Sequence, residues 1–191
     1  TKRQTPNTRE KFGLSHGPVV GIVARLSAEK GHSYLIQAMK EVIARIPDAQ
    51  LLIVGDGKTK KELLDLTRSL NLEKNVFFVP SVLDTVEVLS IMDAFVLPST
   101  KEGLGLSLME AMAAGLAVIG SEVGGIKTLI QHGYNGLLVK PADSHQLAAA
   151  ILKLLGDPQQ RKYLGENAGN FIKENFSQEK MSEETETVYL A

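Results

Sequence analysis

The stretch AFVLPSTKEGLGLSLMEAMAAGLAVIG, residues 94–120, decides the fold of this chain. It begins with an apolar run at 94–98, passes through a glycine-containing loop into the helical segment SLMEAMAA at 107–114, and ends in a second apolar run at 116–120. Parallel strands need a crossover connection of this kind, which usually contains a helix. The stretch therefore predicts one strand–helix–strand unit of a parallel sheet.

Apolar runs rich in valine and isoleucine recur along the chain and alternate with segments of helical period. Between the first two runs, Leu35, Met39 and Val42 lie at helical spacing; later, Asp143 can cap one helix and Pro158 can open another. We predict strands at 18–24, 49–55, 75–79, 94–98, 116–120 and 136–139, and further helices at 58–70 and 84–92. The predicted fold is α/β, a Rossmann-like parallel sheet of about six strands with helices on both faces.

Length and composition restrict the classes of function. A chain of 191 residues fits one domain, and its net charge of -1 gives no general attraction to nucleic acid or to an anionic membrane. There is no cysteine, no apolar run of the ~20 residues that span a membrane, and no signal-peptide core in the opening TKRQTPNTREKF. We expect a cytoplasmic protein without a transmembrane segment.

One carboxylate, Glu110, stands in an otherwise uncharged segment from Gly103 to Ser121. A buried carboxylate without a partner is costly, so we expect something to satisfy Glu110. Two hypotheses remain open on the residues alone. Glu110 accepts hydrogen bonds from a vicinal diol such as a ribose, or it forms a structural salt bridge with Arg25 or Lys30.

The loop before this helix is suited to an anionic ligand. Gly103 and Gly105 let a ligand approach the main chain, and the free amides at the start of the following helix would stabilise a phosphate. Ligands of such sheets bind outside the carboxyl ends of the strands, where this loop lies. Glu102, on the same loop, is either an exposed acid or a group that faces the reacting end of the ligand.

Two cations follow the first predicted strand, in ARLSAEKG at 24–31. Arg25 can grip phosphate oxygens in a fork and Lys30 can supply a point charge, so together they suit a diphosphate. The alternative is a solvated loop in which Lys30 pairs with Glu29 or Glu41.

Other chemistries find less support in the sequence. The four histidines show no i, i+4 pairing and no acid cluster, and no Asp-x-Asp occurs, so we predict no metal site. Gly-Asp-Gly at 55–57 predicts only a turn. An aromatic content of 5% argues against a binding surface for single-stranded nucleic acid.

Three segments resemble a known family: VARLSAEKG, DAFVLPSTKEGLGLSLMEAMAAG and VGGIKTLIQHGYNGLLVKPADSHQLAAAI. They are similar to motifs of the retaining nucleotide-sugar glycosyltransferases of family 4, also called group 1, which have the two-domain GT-B fold. The resemblance covers most of the chain and is to the carboxyl-terminal, donor-binding half of those enzymes. The glutamate pair with its glycines is its most specific part.

The resemblance implies roles for individual residues. Arg25 and Lys30 would hold the donor diphosphate, Glu110 would bind the ribose hydroxyls, and Glu102 would face the transferred sugar, so that Glu102, Arg25 and Lys30 are the implied catalytic residues. The main chain near Val82 would read the edge of the base. The implied contacts with the diphosphate or the sugar lie on one loop, at Gly103, Leu104, Gly105, Leu106 and Ser107.

The resemblance also implies an activity. The intact enzyme would transfer a hexosyl group from a UDP-, GDP- or ADP-sugar to an acceptor hydroxyl with retention of configuration, without a cofactor or a metal. Leu104 in place of the usual phenylalanine, Pro80 where glycine is common, and GGIKT without its usual acid leave the base and the sugar open.

Residues 1–191 would then be a fragment that is inactive without an amino-terminal domain. That domain would bind a sugar or lipid-linked acceptor, and the full-length protein would be cytoplasmic or peripheral at the membrane. A charged helix at 177–191 would cross toward the missing domain. Two alternatives remain: a non-catalytic, nucleotide-binding regulatory domain, and another GT-B-like enzyme such as a sugar nucleotide epimerase or a phosphorylase.

Overall fold

The computed structural model describes residues 6–176 and contains one six-stranded sheet. The strands are β1 Val19–Val23, β2 Gln50–Val54, β3 Val76–Val79, β4 Ala94–Leu97, β5 Val118–Ser121 and β6 Leu137–Val139. The helices are α1 Pro6–Lys11, α2 His32–Arg45, α3 Lys60–Ser69, α4 Val86–Ser90, α5 Leu106–Ala113, α6 Gly124–Leu129, α7 Ser144–Gly156 and α8 Pro158–Asn175, and a 3-10 turn spans Ala28–Lys30.

All six strands predicted from the sequence are present, and every neighbouring pair is parallel. The strand order is β3-β2-β1-β4-β5-β6, so the chain reverses its direction of travel across the sheet between β3 and β4. The central β1–β4 pair is aligned by Val20↔Ala94 and Gly21↔Phe95. This reversal places β1 beside β4 and creates the topological switch point at which such sheets bind ligands.

Burial explains why the strands are apolar throughout. All five residues of β2 are buried, although successive side chains of a strand point to opposite faces. Both faces of the sheet must therefore be covered, and the helices cover them: α2 packs against α3 and α7, and α5 packs against α8.

Helix boundaries follow local chemistry where the sequence carries a cap. The Asp143 carboxylate accepts a hydrogen bond from the amide of Gln146 at the start of α7, and Pro158 is the first residue of α8, as predicted. The sequence did not predict α1, the 3-10 turn or α6. The predicted helix at 177–191 lies outside the described residues and stays a prediction.

None of the helices between residues 6 and 176 is long and apolar enough to cross a membrane.

Candidate functional site

The candidate site lies at the carboxyl ends of β1 and β4, where the loops that follow the two strands face each other. Lys30, from the 3-10 turn after β1, reaches Glu102 in the loop after β4, with Nζ 2.6 Å from Oε2. The main chain joins the same two loops, because the amide of Thr100 donates to the carbonyl oxygen of Glu29 at 2.8 Å. The structure thus brings together two of the predicted site segments that are about 70 residues apart in the chain.

Glu102 is not an exposed loop acid. Its side chain is 9% exposed, and its Oε2 accepts hydrogen bonds from Lys30 and from the hydroxyl of buried Ser99 at 3.1 Å. The alternative prediction, a solvated loop in which Lys30 pairs with Glu29 or Glu41, is wrong. Glu41 instead lies 2.6 Å from Nδ1 of His145, and Lys30 stays with Glu102.

Arg25 lies at the mouth of the site and is largely exposed. Its Nη2 is 3.0 Å from Oε1 of Glu29, and the same oxygen accepts a hydrogen bond of 2.7 Å from the Ser27 hydroxyl. The Ser27 hydrogen bond, a main-chain hydrogen bond and the Arg25 guanidinium together lower the pKa of Glu29 to about 2. Glu29 is therefore ionised throughout the physiological pH range and holds Arg25 by charge.

The apolar segment around Glu110 predicted a buried carboxylate, and this prediction is wrong. The segment around it is apolar, but Glu110 lies on the open side of α5, where its side chain is exposed, while Leu108, Ala111 and Met112 fill the buried side. Its Oε2 accepts a hydrogen bond of 3.0 Å from the hydroxyl of Thr85. The alternative of a salt bridge with Arg25 or Lys30 is wrong, because these cations pair with Glu29 and Glu102.

The segment 103–107 joins the loop after β4 to the first turn of α5. Gly105 precedes α5 with a left-handed main chain at φ 73°, has no side chain with which to cap the helix, and leaves the first turn open to a ligand. Leu104 and Leu106 on either side of it are 51% and 65% exposed. Ser107 is half-buried in the first turn.

The start of α6 packs against the loop that carries Glu102 and Gly103. A Cβ at Gly124 would collide with the carbonyl oxygen of Glu102, and one at Gly125 would collide with that of Gly103. The Gly125 amide also points at the carbonyl oxygen of Glu102, at 3.4 Å. Gly124 and Gly125, which the sequence placed only after strand five, therefore position the Glu102 loop.

Val82 is half-buried in the loop after β3 and packs against the core. Asp56 anchors the start of that loop, since its Oδ2 accepts from the amide of Ser81 at 2.9 Å and its Oδ1 lies 3.1 Å from Lys60. The Ser81 hydrogen bond and then Lys60 lower the pKa of Asp56. The predicted Gly-Asp-Gly turn is thus a loop with a positioning carboxylate.

Four residues of the site were not predicted from the sequence: Ser99, Thr85, Glu29 as the partner of Arg25, and Asp56. Ser99 lies three residues before Glu102, so a local contact could have been considered. Thr85 and Asp56 act on segments 25 residues away, and no spacing in the sequence indicates such contacts.

A groove of about 680 Å³ adjoins the 3-10 turn on the side of α2 and α3, and Ser27, Glu29, His32, Thr59, Glu62 and Lys101 are among its lining residues. It does not include Glu110 or the loop 103–107. His32 is buried in its wall, and burial followed by the nearby charge of Lys30 lowers the pKa of His32 to about 4. Within residues 6–176, no group of three or more His, Asp or Glu side chains is arranged to hold a metal ion.

GT-B glycosyltransferases are the structural neighbours of this six-stranded parallel sheet with its flanking helices. Residues 4–171 match the model of the glycosyl transferases group 1, and the chain belongs to this family as a domain like the carboxyl-terminal one.

The similar proteins include chains about twice as long as this one and one domain that was solved alone. N-acetyl-alpha-D-glucosaminyl L-malate synthase of Bacillus anthracis is 34% identical over 98% of this chain and 49% of its own length. The Anabaena protein Alr3699/HepE in complex with UDP matches with a TM-score of 0.90 at 29% identity, over 98% of this chain and 54% of that one; it has also been solved with UDP-glucose.

The C-terminal domain of the group 1 protein LpcC of Francisella tularensis, solved alone, matches with a TM-score of 0.83 at 26% identity, over 92% of this chain and 94% of that one. By contrast, the chain spans about half the length of the malate synthase relative.

Proposed function

We propose that this chain is the donor-binding half of a retaining, nucleotide-sugar-dependent hexosyltransferase. The observation that carries the proposal is the pairing of Lys30 with Glu102 across the switch point, next to a helix start that carries Glu110 on its open face. The Anabaena relative, solved with UDP and with UDP-glucose, supports a nucleotide sugar as the donor. UDP is therefore the first nucleotide to test, and GDP and ADP follow.

The diphosphate would lie between the cations and the start of α5. Arg25 and Lys30 supply positive charge from one side, and the open first turn from Leu106 supplies amide donors from the other. These groups would stabilise the charge that develops on the leaving diphosphate. We propose that they do so without a metal, which transfer assays in the presence of a chelator would test.

The nucleoside would lie toward α4. Glu110 is exposed and already accepts one hydroxyl hydrogen bond, from Thr85, so a ribose diol offers it chemistry of the same kind. The main chain near Val82, on the loop that also carries Thr85, would meet the base. Glu102 would face the transferred sugar, together with the main chain at Gly103, Leu104 and Gly105.

The acceptor would come from outside this chain. Because the chain spans about half of the malate synthase relative, we propose that a second, amino-terminal domain binds a sugar or lipid-linked acceptor and completes the active site. The isolated chain would then bind the donor nucleotide without transferring sugar.

The ribose role of Glu110 gives the direct test. Glu110→Ala should weaken the binding of UDP about tenfold in calorimetry, because the charged hydrogen bonds to the ribose are lost. Glu73→Ala is the matched control, since Glu73 is an exposed glutamate that precedes β3, at the opposite end of the sheet. Equal UDP affinity in the two variants would remove Glu110 from the nucleotide site.

A further inference from the structure

Both cations of the candidate site have carboxylate partners within the chain. Arg25 pairs with Glu29, and Lys30 pairs with Glu102, so the four side chains carry no net charge. A nucleoside diphosphate is strongly anionic and would have to draw on these same cations. The carboxylates must therefore affect how tightly such a ligand binds.

The two ion pairs differ in their surroundings. Lys30 and Glu102 are 21% and 9% exposed, and Ser99 fixes the carboxylate, so this pair is part of the packed structure. Arg25 and Glu29 are 72% and 38% exposed. An exposed pair of this kind contributes little to stability, so a ligand can take over the guanidinium of Arg25 at small cost.

Glu29 is held more firmly than Arg25. Its carboxylate is held by the Ser27 hydroxyl at 2.7 Å, and its carbonyl oxygen accepts from the amide of Thr100. Its depressed pKa keeps it charged at any physiological pH. A fixed negative charge thus stays beside the place where the proposed diphosphate would bind.

We propose that Glu29 is a counter-charge on Arg25 that weakens the binding of nucleoside diphosphates and so favours release of the nucleotide product. This rests on the proposed donor-binding function. Glu29 competes with the phosphates for the guanidinium and repels them by its own charge. The opposite possibility, that Glu29 presents Arg25 to the ligand, predicts the reverse sign, because loss of the ion pair would then weaken binding.

The test uses Glu29→Gln in the full chain with UDP as the probe. Glutamine has the same shape and can still accept from Ser27 and Arg25, so the substitution removes only the charge. We expect about fivefold tighter UDP binding in calorimetry, and the gain should shrink at high salt. Glu62→Gln is the matched control: Glu62 lines the neighbouring groove, and losing its charge should change UDP affinity less than about twofold.

The Arg25→Gln background separates competition for Arg25 from general charge effects. There, Glu29→Gln should give a clearly smaller gain than in the unmodified chain. Unchanged or weaker UDP binding by Glu29→Gln, or an equal gain in both backgrounds, would overturn the inference.

The nucleotide binding of the unmodified chain tests the proposed donor-binding function itself. If the unmodified chain binds none of UDP, GDP or ADP, then the proposed donor-binding function falls and this inference falls with it. If the unmodified chain binds UDP, whatever Glu29→Gln does, the donor site stands.

Discussion

Glu102 shows how one side chain can be both packed and available. The two hydrogen bonds that hold it, from Lys30 and Ser99, reach the same oxygen, Oε2. The carboxylate is therefore fixed through one of its two oxygens, while the side chain keeps 9% of its surface exposed. A group placed in this way can meet a sugar at a defined angle without moving itself.

We expect Glu102→Gln to separate binding from transfer in an enzyme that contains both domains. Glutamine can still accept from Lys30 and Ser99, so UDP affinity should be unchanged or slightly higher. Sugar transfer should fall at least about tenfold, because the charge proposed to face the sugar is lost. Calorimetry and a steady-state transfer assay measure the two effects. Normal turnover of the variant would show that Glu102 takes no part in sugar transfer.

The sequence identified Glu110 as a buried acid, and the structure shows that it is exposed. Its apolar neighbours suggested a buried acid, yet only one side of α5 is buried, and the open side carries Leu106 and Glu110. A helix that faces a ligand or another domain can be apolar on both sides, so composition alone does not reveal which residues are exposed. Within the described residues Glu110 accepts a hydrogen bond from Thr85, and its predicted contact with a ribose diol stays a prediction.

Among the elements, the six strands and the long helices could be predicted because their patterns are local. Apolar runs of strand length, the 3.6-residue stripe of α2 and the caps of α7 and α8 each lie within a short window. α6 could not be predicted in this way. It has six residues and begins with two glycines, which disfavour helices, and its position depends on contact with the distant Glu102 loop.

α1 was missed for a similar reason. It has six residues, PNTREK, and no apolar stripe. The guanidinium of Arg9 anchors it by donating to the carbonyl oxygens of Gly17 and Ile91. A short helix held by such long-range bonds leaves no periodic pattern in the sequence.

The contact between α6 and the Glu102 loop predicts a graded set of stabilities. Gly124→Ala should cost about 2 kcal/mol or more, since Gly124 has φ 40° and a Cβ there would strike the carbonyl oxygen of Glu102. Gly133→Ala should cost only about 1 kcal/mol, because φ is 80° but a Cβ has room within the described part of the chain.

Gly103→Ala completes the set. A Cβ at Gly103 would enter open space in the described structure and meet no left-handed strain, so its cost should be within about 0.5 kcal/mol. Urea unfolding of the three variants measures the order. Equal losses would mean that α6 does not constrain the Glu102 loop.

For the whole molecule, His32 links stability to pH. Its pKa is lowered to about 4 from the ordinary 6.5, mainly by burial, so the unfolded chain binds the proton more readily than the folded one. The contribution of His32 to stability is therefore fully present above about pH 6.5 and falls as the pH drops, by about 2 to 3 kcal/mol at about pH 4.5. Glu29, with a pKa of about 2, affects only the range below its ordinary value of 4.5.

His32→Phe should make the free energy of unfolding less dependent on pH. Both ring nitrogens of His32 are buried without a hydrogen-bond partner among the described residues, so an aromatic ring without them should also fit without loss of stability at neutral pH. Urea unfolding of both proteins between about pH 7 and about pH 4.5 is the measurement. A slope as steep in the variant as in the original chain would assign the pH effect to other groups.

The fold as a whole followed from the sequence, and the site did so only in outline. Arg25, Lys30 and Glu102 lie in the segments that follow β1 and β4, and Glu110 lies on the helix after β4. The parallel topology brings them to the predicted edge because it sends the carboxyl ends of all strands to one side. Which cation pairs with which carboxylate did not follow, since Lys30 and Glu102 are 72 residues apart and their contact depends on the β1–β4 pairing.

The close contact of Gly124 and Gly125 with the carbonyl oxygens of Glu102 and Gly103 also limits where the Glu102 loop can become longer. Extra residues between Glu102 and Gly103 would press against the start of α6, where even a Cβ has no room, while extra residues after Leu104, which is 51% exposed, would extend outward. Added loop length would therefore lie on the side where the proposed function places the transferred sugar.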